Sequence, residues 1–193
     1  MGNWKRRMLM KAVVGCQLFA TLALQSFSAC SDAKSEKILR ALELEDVDAY
    51  WAIQGQDEEK NNYIHPVVRF RVVNGAEQDL DYVQAMAVFK REKLPDEPWG
   101  NAFTYSISDE PIPPGDSSDT ITLRSDTSFI SKDSPRQMFL NEKWEEVRVE
   151  ILLRVGPSSW QILESRQVPK HIGAPGLEKF LEPAEDAEIK SFQ

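Results

Sequence analysis

The sequence predicts a mainly β protein, an antiparallel β-sandwich of about seven strands with one or two short helices. Three observations lead to this prediction. Several stretches alternate apolar and polar residues with the period of two that is typical of strands. Segments rich in proline, glycine, asparagine and aspartate separate these stretches. The segments between successive stretches are also too short for the crossover helices that parallel strands need.

Residues 1–29 have the features of an export signal. Four basic residues without an acid precede an apolar run of about 16 residues, which is short for a bilayer span. The next four residues, "FSAC", resemble the bacterial lipobox, in which the cysteine thiol accepts a diacylglycerol before cleavage. The resemblance makes Cys30 the lipidation site. Cleavage after Ser28, or an uncleaved anchor, is the alternative.

An acylated Cys30 would place an exported protein on a membrane, facing the periplasm or the cell surface. Because Ser31 rather than an aspartate follows the cysteine, the resemblance to enterobacterial sorting rules favours the outer membrane over the inner one. The other cysteine, Cys16, lies within the signal. The exported chain would therefore contain no disulfide framework, cysteine zinc cluster or free catalytic thiol.

The charge of the chain limits its partners. The formal net charge is −8, and removal of the four basic residues of the signal would make it −12. Such an acidic protein is not expected to bind nucleic acid through a broad electrostatic surface. We divide the chain into a signal (1–29), a tether (30–37), a sandwich domain (38–172) and an acidic C-terminal tail with a short helix (173–193).

The elements of the first half follow in order. We expect a strand near 37–45, a second near 49–54, and then a polar loop. Residues 66–75 alternate clearly and stop at Asn74-Gly75, a strong turn dipeptide. Residues 80–92 are apolar on both faces, which suits a central strand. The segment "KLPDEPWGN" (93–101) is predicted to break the sheet, and 102–108 to resume it.

The second half begins with a short strand at 121–125. Ser134 and Pro135 then suit the N-cap and first position of a short helix, and Met138, Phe139 and Trp144 are expected to cover one end of the core. Residues 145–156 form the strongest strand pattern in the chain. A three-residue turn joins it to 160–168, which predicts an antiparallel hairpin. A further short helix is expected near 177–181.

The stretch "PVVRFRVVNGAEQDLDYVQAMAVF" and the later "IPPGDSSDTITLRS" resemble bacterial lipoproteins and secreted proteins of unknown function that have an immunoglobulin-like β-sandwich. The residues that carry the resemblance are Asn74, the alternating Val83, Ala85 and Phe89, and the turn Pro114-Gly115. The likeness covers residues 66–125. It implies an extracytoplasmic immunoglobulin-like sandwich and assigns no catalytic positions.

Few residues suggest catalysis. His65 and His171 are expected to be isolated loop residues, and no serine lies in a nucleophile elbow. The acidic runs lack the spacing of a calcium loop. We therefore predict no enzyme activity, no metal and no cofactor.

Loop aromatics are the remaining candidates, and Trp51, Trp99 and Tyr105 are the predicted ligand-binding residues. Alternatively, these rings cap the core. The leading hypothesis is a non-enzymatic, lipid-anchored binding or assembly module whose partner is another envelope protein. The alternative is an envelope protein that binds a carbohydrate or small ligand through these aromatics.

Overall fold

The structure is a computed structural model that describes residues 33–173. The strands within this range are β1 (Leu42–Gln56), β2 (Asn62–Asn74), β3 (Val83–Arg91), β4 (Leu94–Thr104), β5 (Ile121–Arg124), β6 (Phe129–Ser131), β7 (Val147–Val155) and β8 (Gln161–Gln167). One sheet has the order β1–β2–β5, with β6 also paired to β2, and the other has the order β4–β3–β7–β8. All strand pairs are antiparallel. The predicted mainly β sandwich is confirmed, with eight strands in the described range rather than about seven.

The strand β3 lies inside its sheet, as its apolar character on both faces predicts. Its inward side chains are fully buried and lie in register with inward side chains of β7, for example Ala87 opposite Ile151 and Phe89 opposite Val149. Burying one large apolar side chain contributes about 1.5–3 kcal/mol. The alternation that is visible in the sequence therefore corresponds to the inner faces of the sandwich.

The N-terminal part of the domain differs from the prediction. Residues 33–39, which include the end of the predicted tether, form a helix, α1, whose Ile38 and Leu39 are buried. The two strands predicted between 37 and 54 are one strand, β1. A bulge near Asp46, which has a φ of 52°, interrupts its pairing with β2 between Glu45 and Asp48 without ending the strand.

The prediction that residues 93–101 break the sheet is wrong. Residues 94–101 belong to β4, which pairs with β3 and lies at the edge of its sheet. Proline has no backbone N–H to donate. A central strand pairs with a neighbour on both sides, whereas an edge strand has one side on which no N–H needs a partner. Pro95 and Pro98 are therefore compatible with β4, although the register shifts there. The sequence also gave no sign of the three-residue β6.

The turn residues that carry the resemblance meet in the fold. The side chain of the fully buried Asn74 donates hydrogen bonds to the carbonyl oxygens of Gln78 (2.9 Å) and Ile112 (2.8 Å) and accepts one from the N–H of Ala76 (2.9 Å). The N–H of Gly115 donates to the carbonyl oxygen of Asn74 (2.7 Å). Asn74 thus joins the end of β2 to both loops that follow.

The later elements agree with the prediction. Helix α2 (Pro135–Met138) has Ser134 as its N-cap, and β7 and β8 form the antiparallel hairpin. The export signal with Cys16 and Cys30, the helix expected near 177–181 and the rest of the tail lie outside the described residues. Among the helices of residues 33–173, none combines the length and apolar character needed to span a membrane.

Candidate functional site

The three predicted ligand-binding residues lie in two separate places. The rings of Trp51 and Trp99 are neighbours, with centroids 6.2 Å apart. Tyr105 instead packs edge-on against Phe103, with centroids 4.7 Å apart. Trp51 is buried, Trp99 is partly buried and Tyr105 is 79% exposed. The structure therefore presents two aromatic groups rather than one platform.

The first group lies at one end of the sandwich core, and we call it the end cluster. Its rings are within the 4.5–7 Å range in which aromatic pairs attract one another. Trp144 is the centre of the group, with centroids 4.7 Å from Trp51 and 4.8 Å from Phe139. The cluster consists of Trp51, Trp99, Phe129, Phe139 and Trp144.

The end cluster is assembled from segments far apart in the chain. Trp51 lies on β1, and residues 171–173 fix its backbone: its N–H donates to the carbonyl oxygen of His171 (2.8 Å), and its carbonyl oxygen accepts from the N–H of Gly173 (3.1 Å). Phe139 is the C-cap residue of α2, and Trp144 lies in the loop after it. The prediction that Met138, Phe139 and Trp144 cover one end of the core is confirmed.

A cavity of about 140 Å³, which we call the end cavity, opens beside this cluster. Its walls combine aromatic rings with charged side chains from the end of β3 and from the segment before β7. The lining residues are Trp51, Arg91, Trp99, Phe129, Lys143, Glu145 and Val147.

Unpaired polar atoms concentrate at the end cavity. Within residues 33–173, the buried side-chain polar atoms without a hydrogen-bond partner are Nε1 of Trp51, Nε1 of Trp144, Nε of Arg91 and Oε2 of Glu145. Three of these residues line the cavity, and Trp144 packs against Trp51. Oε2 of Glu145 lies 3.4 Å from Nη1 of Arg91, so this oxygen is ion-paired although it accepts no hydrogen bond. Buried polar atoms are normally paired, so this concentration requires an explanation.

The second group lies on the surface of the sheet that contains β4, β3, β7 and β8. Four apolar residues lie side by side across its four strands: Met86 is opposite both Phe103 and Leu152, and Leu152 is opposite Ile162. They alternate with the core residues and so face away from the core. We call these four residues, together with Tyr105 and Trp160, the outer aromatic face.

The outer aromatic face is open to solvent at its margins. Phe103 is 39% exposed and Ile162 is 51% exposed. The guanidinium of Arg154 lies 4.8 Å from the ring centroid of Trp160, a cation–π contact, and its Nε donates to Oε1 of Gln84 (2.7 Å). Further along the same surface, Lys90 and Glu150 form an ion pair at 2.9 Å. A border of mutually paired polar groups thus adjoins the apolar row.

The prediction that His65 is a loop residue is wrong, because it lies on β2 and is only 7% exposed. Its Nδ1 contacts the carbonyl oxygens of Ser125 (3.0 Å) and Thr127 (3.1 Å), which only a protonated Nδ1 can satisfy. Its Nε2 contacts the side-chain amide of Gln54. Burial lowers the pKa of His65 from its ordinary value of 6.5. These contacts assign His65 to the structure of the sheet, where it ties β2 to the segment between β5 and β6.

The acidic side chains do not converge. In the part of the chain that the structure describes, no group of three or more histidine, cysteine, aspartate or glutamate residues is placed to hold a metal ion. The acidic run that begins at Asp57 contains a local turn, in which Asp57 accepts hydrogen bonds from Asn61 and from the hydroxyl of Tyr63 (2.8 Å).

Local sequence does not show which residues meet at the two sites. Arg91 and Glu145 are ordinary charged residues in the sequence, and only the pairing of β3 with β7 brings them together. Phe103 lies two positions before Tyr105 in an alternating run, so the sequence itself places both on one face. Ile162 and Trp160 join them only through the order of strands in the sheet.

Comparison with known proteins adds little to this description. No family model and no curated protein matches the chain. A crystal structure of a protein from Archaeoglobus fulgidus is similar, with 17% sequence identity and a TM-score of 0.35 over 65% of this chain and 94% of that chain. A likeness at this level supports no conclusion about function.

Proposed function

We propose that this protein is a lipid-anchored bacterial envelope protein that acts as a non-enzymatic binding module, and that the outer aromatic face binds another envelope protein. The observation that carries the proposal is the apolar row of Phe103, Met86, Leu152 and Ile162 across all four strands of one sheet. A contiguous apolar patch on the surface of a folded domain is typical of an interaction site.

The composition of the face favours a protein as its partner. Interfaces between proteins have an apolar centre, enriched in aromatic residues and methionine, and a polar margin. Here the apolar row is flanked by the aromatic rings of Tyr105 and Trp160 and bordered by Arg154 and the ion pair of Lys90 with Glu150. Because these charges already have partners, we expect the bound protein to contribute mainly apolar surface.

Docking on this face is better supported than addition of a strand to a sheet edge. The edge strand β4 contains Pro95 and Pro98, and the edge strand β8 contains the charged Glu164 and Arg166. Both features discourage pairing with another strand. The backbone of Trp51 on β1 already pairs with residues 171–173.

The strand order supports the immunoglobulin-like identity that we propose for the sandwich. In immunoglobulin-like domains one sheet contains strands A, B and E, and the other contains C, F and G, with a further strand beside C in some members. Taken in chain order, β1–β2–β5 and β4–β3–β7–β8 fit this arrangement. The proposed location, in which an acyl anchor at Cys30 holds the protein in the outer membrane, rests on the lipobox resemblance.

Site-specific photocrosslinking in membranes tests the proposed surface. A photoreactive benzoylphenylalanine would replace Tyr105 or, as a control, the exposed Thr122 of the opposite sheet. We expect one discrete adduct from position 105 and none from position 122. Phe103→Ser, which removes one ring of the face, should abolish that adduct. Equal adducts from both positions, no adduct from position 105, or an adduct that persists with Phe103→Ser would overturn the proposal.

A further inference from the structure

We infer that the end cavity binds a small carboxylate that carries a single six-membered ring. This inference is independent of the protein partner proposed above, because Tyr105 and the other residues of the outer aromatic face do not line the cavity. It stands on three properties of the cavity: its size, its walls and the balance of its unpaired polar atoms.

The size of the cavity limits the ligand to about one ring. Pockets for drug-sized ligands measure roughly 300–1,000 Å³. The end cavity measures about 140 Å³. An apolar protein cavity of about 150 Å³ accommodates one benzene molecule. A disaccharide or a nucleotide is therefore too large to be enclosed.

The walls suit a flat ring. Trp51, Trp99 and Phe129 come from three strands, β1, β4 and β6, and present aromatic surface to the same space. Aromatic side chains attract another ring in stacked or edge-on arrangements, in addition to the gain from burying apolar area. The surrounding packing holds Trp51, which is 1% exposed, so this wall is formed before a ligand arrives.

The unpaired polar atoms indicate an anionic group that accepts hydrogen bonds. Among the lining residues, Trp51 and Arg91 each have a buried N–H without a hydrogen-bond partner, whereas the buried Oε2 of Glu145 is ion-paired with Nη1 of Arg91 at 3.4 Å. The lining residues also include two cations, Arg91 and Lys143, and one carboxylate, Glu145. Both the excess of donors and the excess of positive charge are complemented by a ligand carboxylate, which accepts several charge-assisted hydrogen bonds.

Titration of the full-length protein with benzoate tests the inference. The readout is the indole N–H signals of the ¹⁵N-labelled tryptophans, with the signals of Trp51 and Trp144 assigned by single replacement with phenylalanine. We expect a saturable shift of the Trp51 signal. Benzamide has the same shape without the charge, and we expect it to bind about tenfold more weakly.

Three variants identify the residues responsible. Lys143→Gln, at an exposed position on the cavity wall, should weaken benzoate binding severalfold, because it removes a cation. Glu145→Gln should strengthen binding severalfold, because it removes the carboxylate that competes for Arg91, and a misfolded protein could not produce this gain. Arg40→Gln removes an exposed cation that does not line the cavity and should leave binding unchanged.

Several results would overturn the inference. They are the absence of a saturable Trp51 shift in the wild type, equal binding of benzoate and benzamide, or weaker binding in Glu145→Gln. An equal loss of binding in Lys143→Gln and Arg40→Gln would also overturn it. None of these results depends on the photocrosslinking experiment, so the two proposals can fail separately.

Discussion

At the scale of single residues, Asn74 shows how one polar side chain can hold three segments together. It lies at the end of β2, is fully buried, and uses both atoms of its amide. From the sequence, the dipeptide Asn74-Gly75 predicted only a tight turn. The local sequence identified the place correctly, but not the partner, because Ile112 lies 38 positions later in the chain.

We predict that Asn74→Ala lowers the free energy of unfolding by about 2–4 kcal/mol, because it removes three hydrogen bonds made by a fully buried side chain. The carbonyl oxygen of Gln78 and the N–H of Ala76 lose their partner, whereas the carbonyl oxygen of Ile112 keeps the N–H of Leu80. Urea unfolding followed by circular dichroism measures the change. The control is Asn101→Ala, which removes an exposed hydrogen bond to Asp126 and should cost less than about 1 kcal/mol. Similar losses for both variants would contradict this role of Asn74.

The buried His65 should make the free energy of unfolding depend on pH. Burial lowers the pKa of His65 in the folded protein below the ordinary value of 6.5, so the unfolded chain binds this proton more readily. The stabilisation is therefore complete above the ordinary pKa of 6.5 and is lost as the pH falls below it. Urea unfolding between pH 7.5 and 5.5 should show a loss of stability that is smaller in His65→Gln.

The other histidine provides the matched control for that series. His171 is exposed and lies outside the strands, so His171→Gln should keep the pH dependence of the wild type. If His65→Gln and the wild type lost stability equally over this range, the buried imidazole would not be its cause.

At the scale of elements, β4 shows how an edge strand tolerates residues that a central strand excludes. Its prolines made the segment look like a loop in the sequence, although it pairs with β3 over much of its length. The position of a strand within its sheet is a property of the fold and is not visible in local composition.

We predict that replacing both Pro95 and Pro98 with threonine preserves the fold and increases self-association. Each replacement restores a backbone N–H on the edge of the sheet, where another strand could pair with it. Light scattering during incubation at high concentration measures the effect. Pro157→Thr, in the turn between β7 and β8, is the control and should not raise scattering. Equal scattering of the double variant and the wild type would contradict the protective role.

The other elements were predictable to different degrees, for physical reasons. The strands β2, β3, β5, β7 and β8 and helix α2 follow from alternation, turn dipeptides and a capping residue. Helix α1 was missed because its two apolar residues, Ile38 and Leu39, fit a strand equally well. The three residues of β6 are too few for a pattern. The end cavity requires contacts between residues of distant segments, which no local pattern contains.

At the scale of the whole molecule, the proposed acyl anchor can be tested separately from the sandwich domain. We expect the full-length protein produced in a bacterial host to lose its first 29 residues, gain the mass of acyl chains and enter the detergent phase. Cys30→Ala should do none of these, because its side chain cannot form the thioether to the diacylglycerol. Intact mass and detergent partition measure both effects.

The second cysteine supplies the control for the anchor. Cys16 lies within the proposed signal, so Cys16→Ala should be processed and acylated like the wild type. Release of the wild-type protein without acyl mass would contradict the anchor at Cys30 while leaving the two binding surfaces to be tested on their own.

The grouping of three indoles in the end cluster has a spectroscopic consequence. The rings of Trp99 and Trp144 lie 6.2 Å and 4.7 Å from that of Trp51 and are tilted against it by 56° and 63°. Electronic transitions of chromophores at such distances and angles couple, which gives a pair of ellipticity bands of opposite sign. These bands would provide an optical signal for one end of the sandwich, distinct from the backbone signal of its strands.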